Sequence, residues 1–540
     1  MLLLVAALAI ELCMERPSSR AFANRTSVIA AINGPDNAYV DEGDTLLFIA
    51  SIGVVAGSAG PGEEFVPADR NCRVIARPDR RSAARMITTP LSLNWKHPLQ
   101  GQPVAQVVRL AQQDEGGAWH HERMFTALFA HHGELPVLSL LASEGALFDP
   151  DTGLLVVGNA IFHAPRKLLL TEYKDPRWWK YPGNFHLRGK QWERRGRLQM
   201  IAPDGTEIFQ RPVSIRVNGQ MTRGFPQHAL RIGFDEPLQE DVLDESPGPG
   251  YDGLVIRAAG NDQIKAMMRD VFQHTLCEGL PFEVSGHRTC VLYINGAYWG
   301  LHHLRPRMDE EELARRYDVP KKKITILEDE ARFYRGDSLE VIRFKELADR
   351  TADWDGSDGA WADTLNTEVD VDGFLHYMAS QMILANMDWP EQNVKFWKYT
   401  GKPKAERPLD GRWYFIMGDS DLGYGARSGP ETDIFLRVNA LDVPVTRLLK
   451  GMLRNVTFKA HFISIARGLA RSRFSSSRSL AELERTVALM TPEMTRHTAR
   501  WRRPADLGTW QEHVAVMRTF AARREAIVLE QLDRFERTVQ

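Results

Sequence analysis

The segment from Phe374 to Gly425 constrains the fold more than any other part of the chain. FLHYMASQMILA places apolar residues at 374, 375, 378, 382 and 383, the spacing that gives a helix one buried stripe. Pro390 lacks an amide hydrogen and its ring crowds the preceding turn, so the helix is expected to stop within Asn386-Met387-Asp388-Trp389-Pro390. A tight loop carrying Asp388 and Asn393 comes next, then the alternating strands VKFWKY and WYFIM. The second strand runs directly into Gly418-Asp419-Ser420-Asp421-Leu422-Gly423. Helix, polar loop, hairpin and acidic strand end, in that order, belong to a mixed α+β domain.

Each polar residue in this order has a chemical use. A carboxylate at Asp388 can orient an attacking hydroxyl and accept its proton. Asn393, with Asp419 or Asp421, supplies the oxygen ligands that Mg²⁺ prefers. Asp419 is favoured as the metal ligand because it directly follows the strand, while Asp421-Leu422-Gly423 has the form D-x-G, and position alone does not choose between them. A D-x-x-x-x-N spacing is common by chance and acidic residues at strand ends often serve as caps, so the reading needs support from the rest of the chain.

At 540 residues the chain exceeds one ordinary core, and two to four domains are expected. A hydrophobic fraction of 43%, a charged fraction of 26% and a net charge of −2 lack the basic excess of a nucleic-acid binder. Residues 1–23 read as a signal peptide: an apolar run of about ten residues, too short for a span of ~20, ahead of Ala21-Phe22-Ala23. This makes the protein exported, to the periplasm, cell surface or medium of a bacterium. Residues 24–132 show short apolar runs punctuated by Gly, Pro, Asp and Asn, the pattern of a small β-sandwich. Residues 133–540 read as an α+β domain with a helical C-terminal part. Strands are expected at 198–201, 213–217, 229–234, 254–257 and 291–294, a helix over 263–276, and a strand, turn and strand across LPVLSLLA and LFDPDTGLLVVGNA. Of four cysteines, Cys277 and Cys290 form a bridge or stand as two buried thiols.

The ordered motifs LPVLSLLA, GRLQMIAPDGTEIF, VSIRVNGQMTRGFPQHALRIGF, LVIRAAGNDQ, VLYINGAYWGLHHLRP, ANMDWPEQN and FIMGDSDLGYG resemble the CotH kinase family over roughly residues 135–532. The weak pattern of residues 24–132 is similar to chitobiase C-terminal-type β-domains. The resemblance implies an atypical protein-kinase-like fold and transfer of the ATP γ-phosphate to Ser or Thr of a protein, with Mg²⁺ or Mn²⁺. It implies Asp388 as the catalytic acid, Asn393 as its metal-side partner, and Asp419 and Asp421 as the D-x-D carboxylates. His228 stands where relatives commonly carry a lysine, with Arg223 or Arg231 as substitutes for a phosphate-facing cation. Asp270 is expected either to pair with such a cation or to face solvent, and Arg257, Asn261 and Asp262 to hold the turn before its helix. Pro306 stands where a hinge-like glutamate is usual.

Two other readings compete with the kinase. One is a pseudokinase acting as a surface or adhesion protein, with a glycan or cell-surface partner bound through the β-domain. The other is a metal-dependent hydrolase using the same carboxylates on water.

Overall fold

The computed structural model describes residues 32–33, 36–50, 54–58, 66–67, 71–113, 119–163, 175–243, 248 and 250–538. The expected signal peptide and its cleavage site lie outside them. Strands dominate the first part of the chain and helices the last, so the class is α+β. Contacts divide it into two compact units, residues 1–236 with 289–302 and 492–502, and residues 237–288 with 303–491 and 503–540, a division that does not coincide with the expected boundary at 132. No helix among the described residues is long and apolar enough to cross a membrane.

In the first unit, Ile32–Asn33, Thr45–Ala50 and Asn71–Ile75 form one antiparallel sheet, and Val66–Pro67, Val54–Ser58, Gln106–Gln113 and Trp119–Ala127 a second. Leu46, Phe48, Val74, Val108, Leu110 and Ala127, drawn from both sheets, pack into one core. Arg288–Ile294, Val137–Ala142, Arg194–Ile201, Glu207–Asn218 and Ala229–Leu238 follow one another in a further sheet, while Tyr251–Arg257 pairs with the end of Ala297–Pro306 within the second unit. The five strands expected between 198 and 294 are all present. The second strand of the LFDPDTGLLVVGNA segment is not. Asp149 Oδ1 accepts the amides of Asp151 and Thr152 at 2.9 Å, as turn chemistry requires. The amides of Leu154 and Leu155 then return to the carbonyls of Ala146 and Leu147 on helix Glu144–Phe148, which leaves them nothing to offer a neighbouring strand.

The same unit is stitched by buried polar groups. Tyr298 donates to Glu493 Oε1 at 2.6 Å, and Glu493 Oε2 lies 2.9 Å from His132 Nδ1. Trp501 Nε1 donates to the Trp299 carbonyl at 2.8 Å. Trp178 and Trp179 are half-buried and pack against Phe225, and Trp192 lies under Arg194, which makes these aromatics a core edge.

In the second unit, Arg332–Arg335, Ile324–Glu328, Val394–Tyr399 and Trp413–Met417 form a four-stranded antiparallel sheet. The expected hairpin is present, with Val394 opposite Met417 and Lys398 opposite Trp413. Helix Val371–Ile383 packs Phe374 and Tyr377 on Phe415. The helix expected from residue 263 begins later, at Arg269. The reason is Asp262, whose Oδ2 accepts the Arg269 amide at 2.9 Å and whose Oδ1 binds the Arg269 guanidinium, while Met267 takes φ +67°. Capping by a carboxylate seven residues upstream ties off a turn where the apolar spacing suggested a helix already running. Cys277, in this unit, and Cys290, in the first, are both buried thiols outside any disulfide, and burial pushes the Cys277 thiol far above its usual range.

Arg269 is fully buried, and Asp262 is its paired carboxylate. Asp262→Ala should cost about 3–5 kcal/mol, because it strands a buried cation. Ile264→Ala, at a position 45% exposed, should stay within about 0.5 kcal/mol. Thermal unfolding midpoints of the two variants, read side by side, check this.

Candidate functional site

Helix Val371–Ile383 is apolar on nearly every side and ends where Ala385 takes φ +49°, five residues before Pro390. The next residue organises the loop. Asn386 is fully buried, donates through Nδ2 to Gln381 Oε1 at 3.1 Å and to the Asp419 carbonyl at 3.3 Å, and accepts the Asp388 amide at 3.3 Å. One side-chain amide therefore fixes the 386–393 loop against the acidic turn. Trp389 is anchored by its indole N–H to Tyr377 at 3.0 Å, and Arg437 clamps Glu391 at 2.7 Å.

Within the loop, Asn393 takes φ +61° and donates Nδ2 to Asp388 Oδ2 at 3.0 Å. The register that sets Val394 opposite Met417 carries Asn393 to the start of the acidic turn. Gly418 is needed there, because a Cβ would come within 2.5 Å of the Asn393 carbonyl oxygen.

Arg257, at the end of strand Tyr251–Arg257, gathers three carboxylates. Its Nη2 is 2.7 Å from Asp419 Oδ1 and 3.6 Å from Asp421 Oδ2, and its Nε is 3.6 Å from Asp270 Oδ2. Arg305 binds Asp270 Oδ2 from another side, and the Ser420 amide donates to Asp270 Oδ1 at 3.0 Å. Asp421 is held by the Asn261 amide at 2.6 Å and by Asn261 Nδ2 at 3.2 and 3.4 Å. Gly260, at φ +55°, admits this contact, since a Cβ there would lie 2.2 Å from Asp421 Oδ2.

Three carboxylates against two guanidinium groups leave one negative charge in excess. Burial works against ionisation of Asp270, but Arg257 and Arg305 outweigh it and hold the carboxyl well below its usual range. Asp421 shows the opposite result: burial, and then the neighbouring Asp419, push its carboxyl well above the usual range. Asp419 is also raised, by burial. Burial and Arg305 push His274 down to about 3, so it is neutral, and its Nε2 lies 3.0 Å from the Gly418 carbonyl oxygen.

The two D-x-D carboxylates differ in what they leave open. Both oxygens of Asp421 are engaged by Asn261, and its side chain is 3% exposed. The Asp419 side chain is 31% exposed, and its bonds to Arg257 and the Asp421 amide both fall on Oδ1, so Oδ2 has no hydrogen bond among the described residues. Asp388 and Asn393 are joined through Oδ2 and Nδ2, and Asp388 Oδ1 and Asn393 Oδ1 have no hydrogen bond among the described residues. These are oxygen donors, the atom type a small divalent cation requires, but no group of three or more His, Cys, Asp or Glu placed to hold a metal ion is found among the described residues.

Asp388, Asn393, Asp419, Asp421 and Asp270 thus fall in one unit and are linked through Asn386 and Arg257. Asp270 is buried and paired with two arginines, so the solvent-facing alternative is excluded. Arg223 and His228 fall in the other unit, where the Arg223 guanidinium and His228 Nε2 are taken up by local carbonyls while His228 Nδ1 is buried with no hydrogen-bond partner among the described residues. His228 Nε2 lies 3.1 and 3.0 Å from the carbonyls of Leu91 and Leu155, and burial pushes its pKa down to about 4, which leaves the ring uncharged. The Arg223 guanidinium bonds the carbonyls of Val217, Gly219 and Phe185. Arg231 is half-buried opposite Arg216 in its ladder. Pro306 ends its strand opposite Leu254, a terminal position that a residue without an amide hydrogen tolerates.

Sequence reasoning treated Arg257 and Asn261 as turn-holding residues and passed over Arg305 and Asn386. The signal for Arg257 lies in IRAAGND, an arginine at a strand end just before a glycine turn. Nothing local marks Asn386.

A family model described as CotH kinase protein matches residues 215–528. No curated protein matches the chain.

Replacing Arg257 tests the charge arrangement directly. Arg257→Gln leaves Asp419 and Asp421 without their cation and should cost about 3–5 kcal/mol without divalent ions. MgCl₂ should return part of this loss, whereas NaCl of equal ionic strength should not. Thermal denaturation with each salt measures it, and equal behaviour in the two salts would show that no cation reaches the carboxylates.

Proposed function

Since this chain belongs to the CotH kinase family, we propose that it is an ATP-dependent protein kinase whose catalytic residues are Asp388, Asn393 and Asp419. The single observation that carries the reading is the set of free oxygens on these three residues, held by Asn386 and by the hairpin register. Asp388 orients the Ser or Thr hydroxyl of a protein and takes its proton, with Asn393 Nδ2 holding the carboxylate in place. Asn393 and Asp419 would hold Mg²⁺ or Mn²⁺ through their side-chain oxygens. The metal–nucleotide pair would supply the transferable phosphoryl group and offset the negative charge of its phosphates.

Asp421 acts one step back. Its bonds to Asn261 and its approach to Arg257 set the position of the guanidinium that touches Asp419. With His228 neutral and Arg223 committed to carbonyl oxygens, Arg257 and Arg305 replace them in this reading as the cations of the nucleotide site. The two sheets of residues 32–127 are read as a β-sandwich, residues 133–540 as the kinase-like domain, and the chain as exported.

The pseudokinase reading draws on the uncharged His228. It and the kinase reading separate in one experiment. Calorimetry with Mn-ATP should show binding to wild type and to Asp388→Ala, and none to Asp419→Asn. Phosphoryl transfer to protein, followed with γ-labelled ATP, should fall about 10²–10⁴-fold in Asp388→Ala, the usual worth of a general base. Equal nucleotide binding in wild type and Asp419→Asn would overturn the metal assignment. Absence of binding in wild type would leave a partner-binding protein.

A further inference from the structure

The four-stranded sheet of the second unit has two ends. One carries Asn393 and the acidic turn. At the other end, the turn before strand Ile324–Glu328 and the turn after strand Val394–Tyr399 are bound together: the Thr400 amide donates to the Lys323 carbonyl at 2.7 Å, and the Thr400 hydroxyl donates to the same oxygen at 3.1 Å. This joins Lys321, Lys322 and Lys323 to the turn that bears Lys402 and Lys404, and all five are exposed.

The charges around these lysines are few. Lys321 reaches Glu311 at 3.4 Å and Lys404 reaches Glu406 at 3.6 Å, both at the surface, where such pairs hold little. Asp318 is exposed nearby in sequence, and Arg407 is committed to Asp370. Lys322, Lys323 and Lys402 have no ion pair among the described residues. For a chain whose net charge is −2, this is a strong local concentration of one sign.

From this juxtaposition we infer that the paired lysine turns are a docking site for an acidic stretch of the protein substrate. The inference rests on the kinase reading and adds where, and through what chemistry, the acceptor protein is held. Charge selects the partner. Spacing fits it as well: strand Val394–Tyr399 has six residues and spans about 20 Å at ~3.3 Å per residue, so an extended chain of roughly six residues reaches from the lysines to Asp388. The substrate therefore carries its acidic stretch about six or more residues from the acceptor hydroxyl. A single-stranded nucleic acid would need aromatic faces to stack on. The aromatic side chains at this end, Tyr399 and Trp413, are buried, as are the apolar Ile324 and Leu409 that a membrane surface would draw on.

The test uses the full chain, the triple variant Lys322→Glu/Lys323→Glu/Lys402→Glu, and a fluorescent octa-aspartate peptide followed by anisotropy. Wild type should bind the peptide with an affinity that falls as NaCl rises from 50 to 300 mM, and the triple variant should bind at least ten-fold more weakly. Mn-ATP binding should be the same in both, since none of the three residues touches the nucleotide site. Equal peptide affinity in the two proteins, or no binding to wild type, overturns the docking site. Tighter binding to an octameric oligothymidylate, or to vesicles with 30% phosphatidylserine, overturns the acidic-protein assignment in favour of that polyanion. Peptide binding without Mn-ATP binding overturns the substrate role and leaves an acidic-partner surface, which keeps failure of the kinase reading distinct from failure of the site.

Discussion

Arg257 is the group on which the rest of the candidate site depends. Its strand brings a guanidinium to the point where Asp270 arrives from a helix and Asp419 and Asp421 arrive from a turn. Without a cation there, three carboxylates drawn together in a poorly solvated place would repel one another by several kcal/mol at an effective dielectric near ~20. Asp270 is compensated twice, by Arg257 and Arg305, and stays ionised. Asp419 and Asp421 share what is left, and both carboxyls are raised. With two guanidinium groups among three carboxylates, the compensation of Asp419 and Asp421 is incomplete.

The scaffold places that charge by simple means. A strand pair in fixed register sets the distance between the 386–393 loop and the 418–423 turn, and the buried Asn386 amide locks one to the other. Glycine at 418 and 260 removes the atoms that would keep backbone from backbone and backbone from carboxylate. Around these contacts the packing is aromatic and dense, with Phe374, Tyr377 and Phe396 each against Phe415. A rigid core under polar loops fixes where the side-chain oxygens of those loops lie.

Much of this was legible in the sequence. The hairpin and the five strands between 198 and 294 follow from alternation, since period two over five or six residues has few other readings. Asp388, Asn393 and the two aspartates of the turn were visible because loop and strand boundaries are marked by Pro390 and Gly418. The helix start at Arg269 was not, because its determinant is the Asp262 carboxylate capping from seven residues away, and apolar spacing at 264 and 267 is equally compatible with a turn. Strands Ile324–Glu328 and Arg332–Arg335 were missed because each is short and embedded in a helical stretch. Arg257 and Arg305 lie 48 residues apart in sequence, and only the ladder that sets Val255 opposite Arg305 brings them to the same carboxylate.

The fate of His228 shows where a motif comparison and a physical reading part. The family resemblance implied a lysine at that position, and histidine there suggested a weakened phosphate contact. In the fold the ring is enclosed, uncharged and fixed by the carbonyls of Leu91 and Leu155, with Phe185 tilted over it at 5.0 Å. A group so placed stabilises its own unit and has no proton to vary near neutral pH. A permanent cation put at 228 would lose its solvation without gaining a counter-ion, which costs several kcal/mol. On the kinase reading, phosphate-facing charge has therefore to come from side chains that already sit among carboxylates. Arg257 and Arg305 meet that condition, since Arg257 is paired with Asp419 and Arg305 with Asp270.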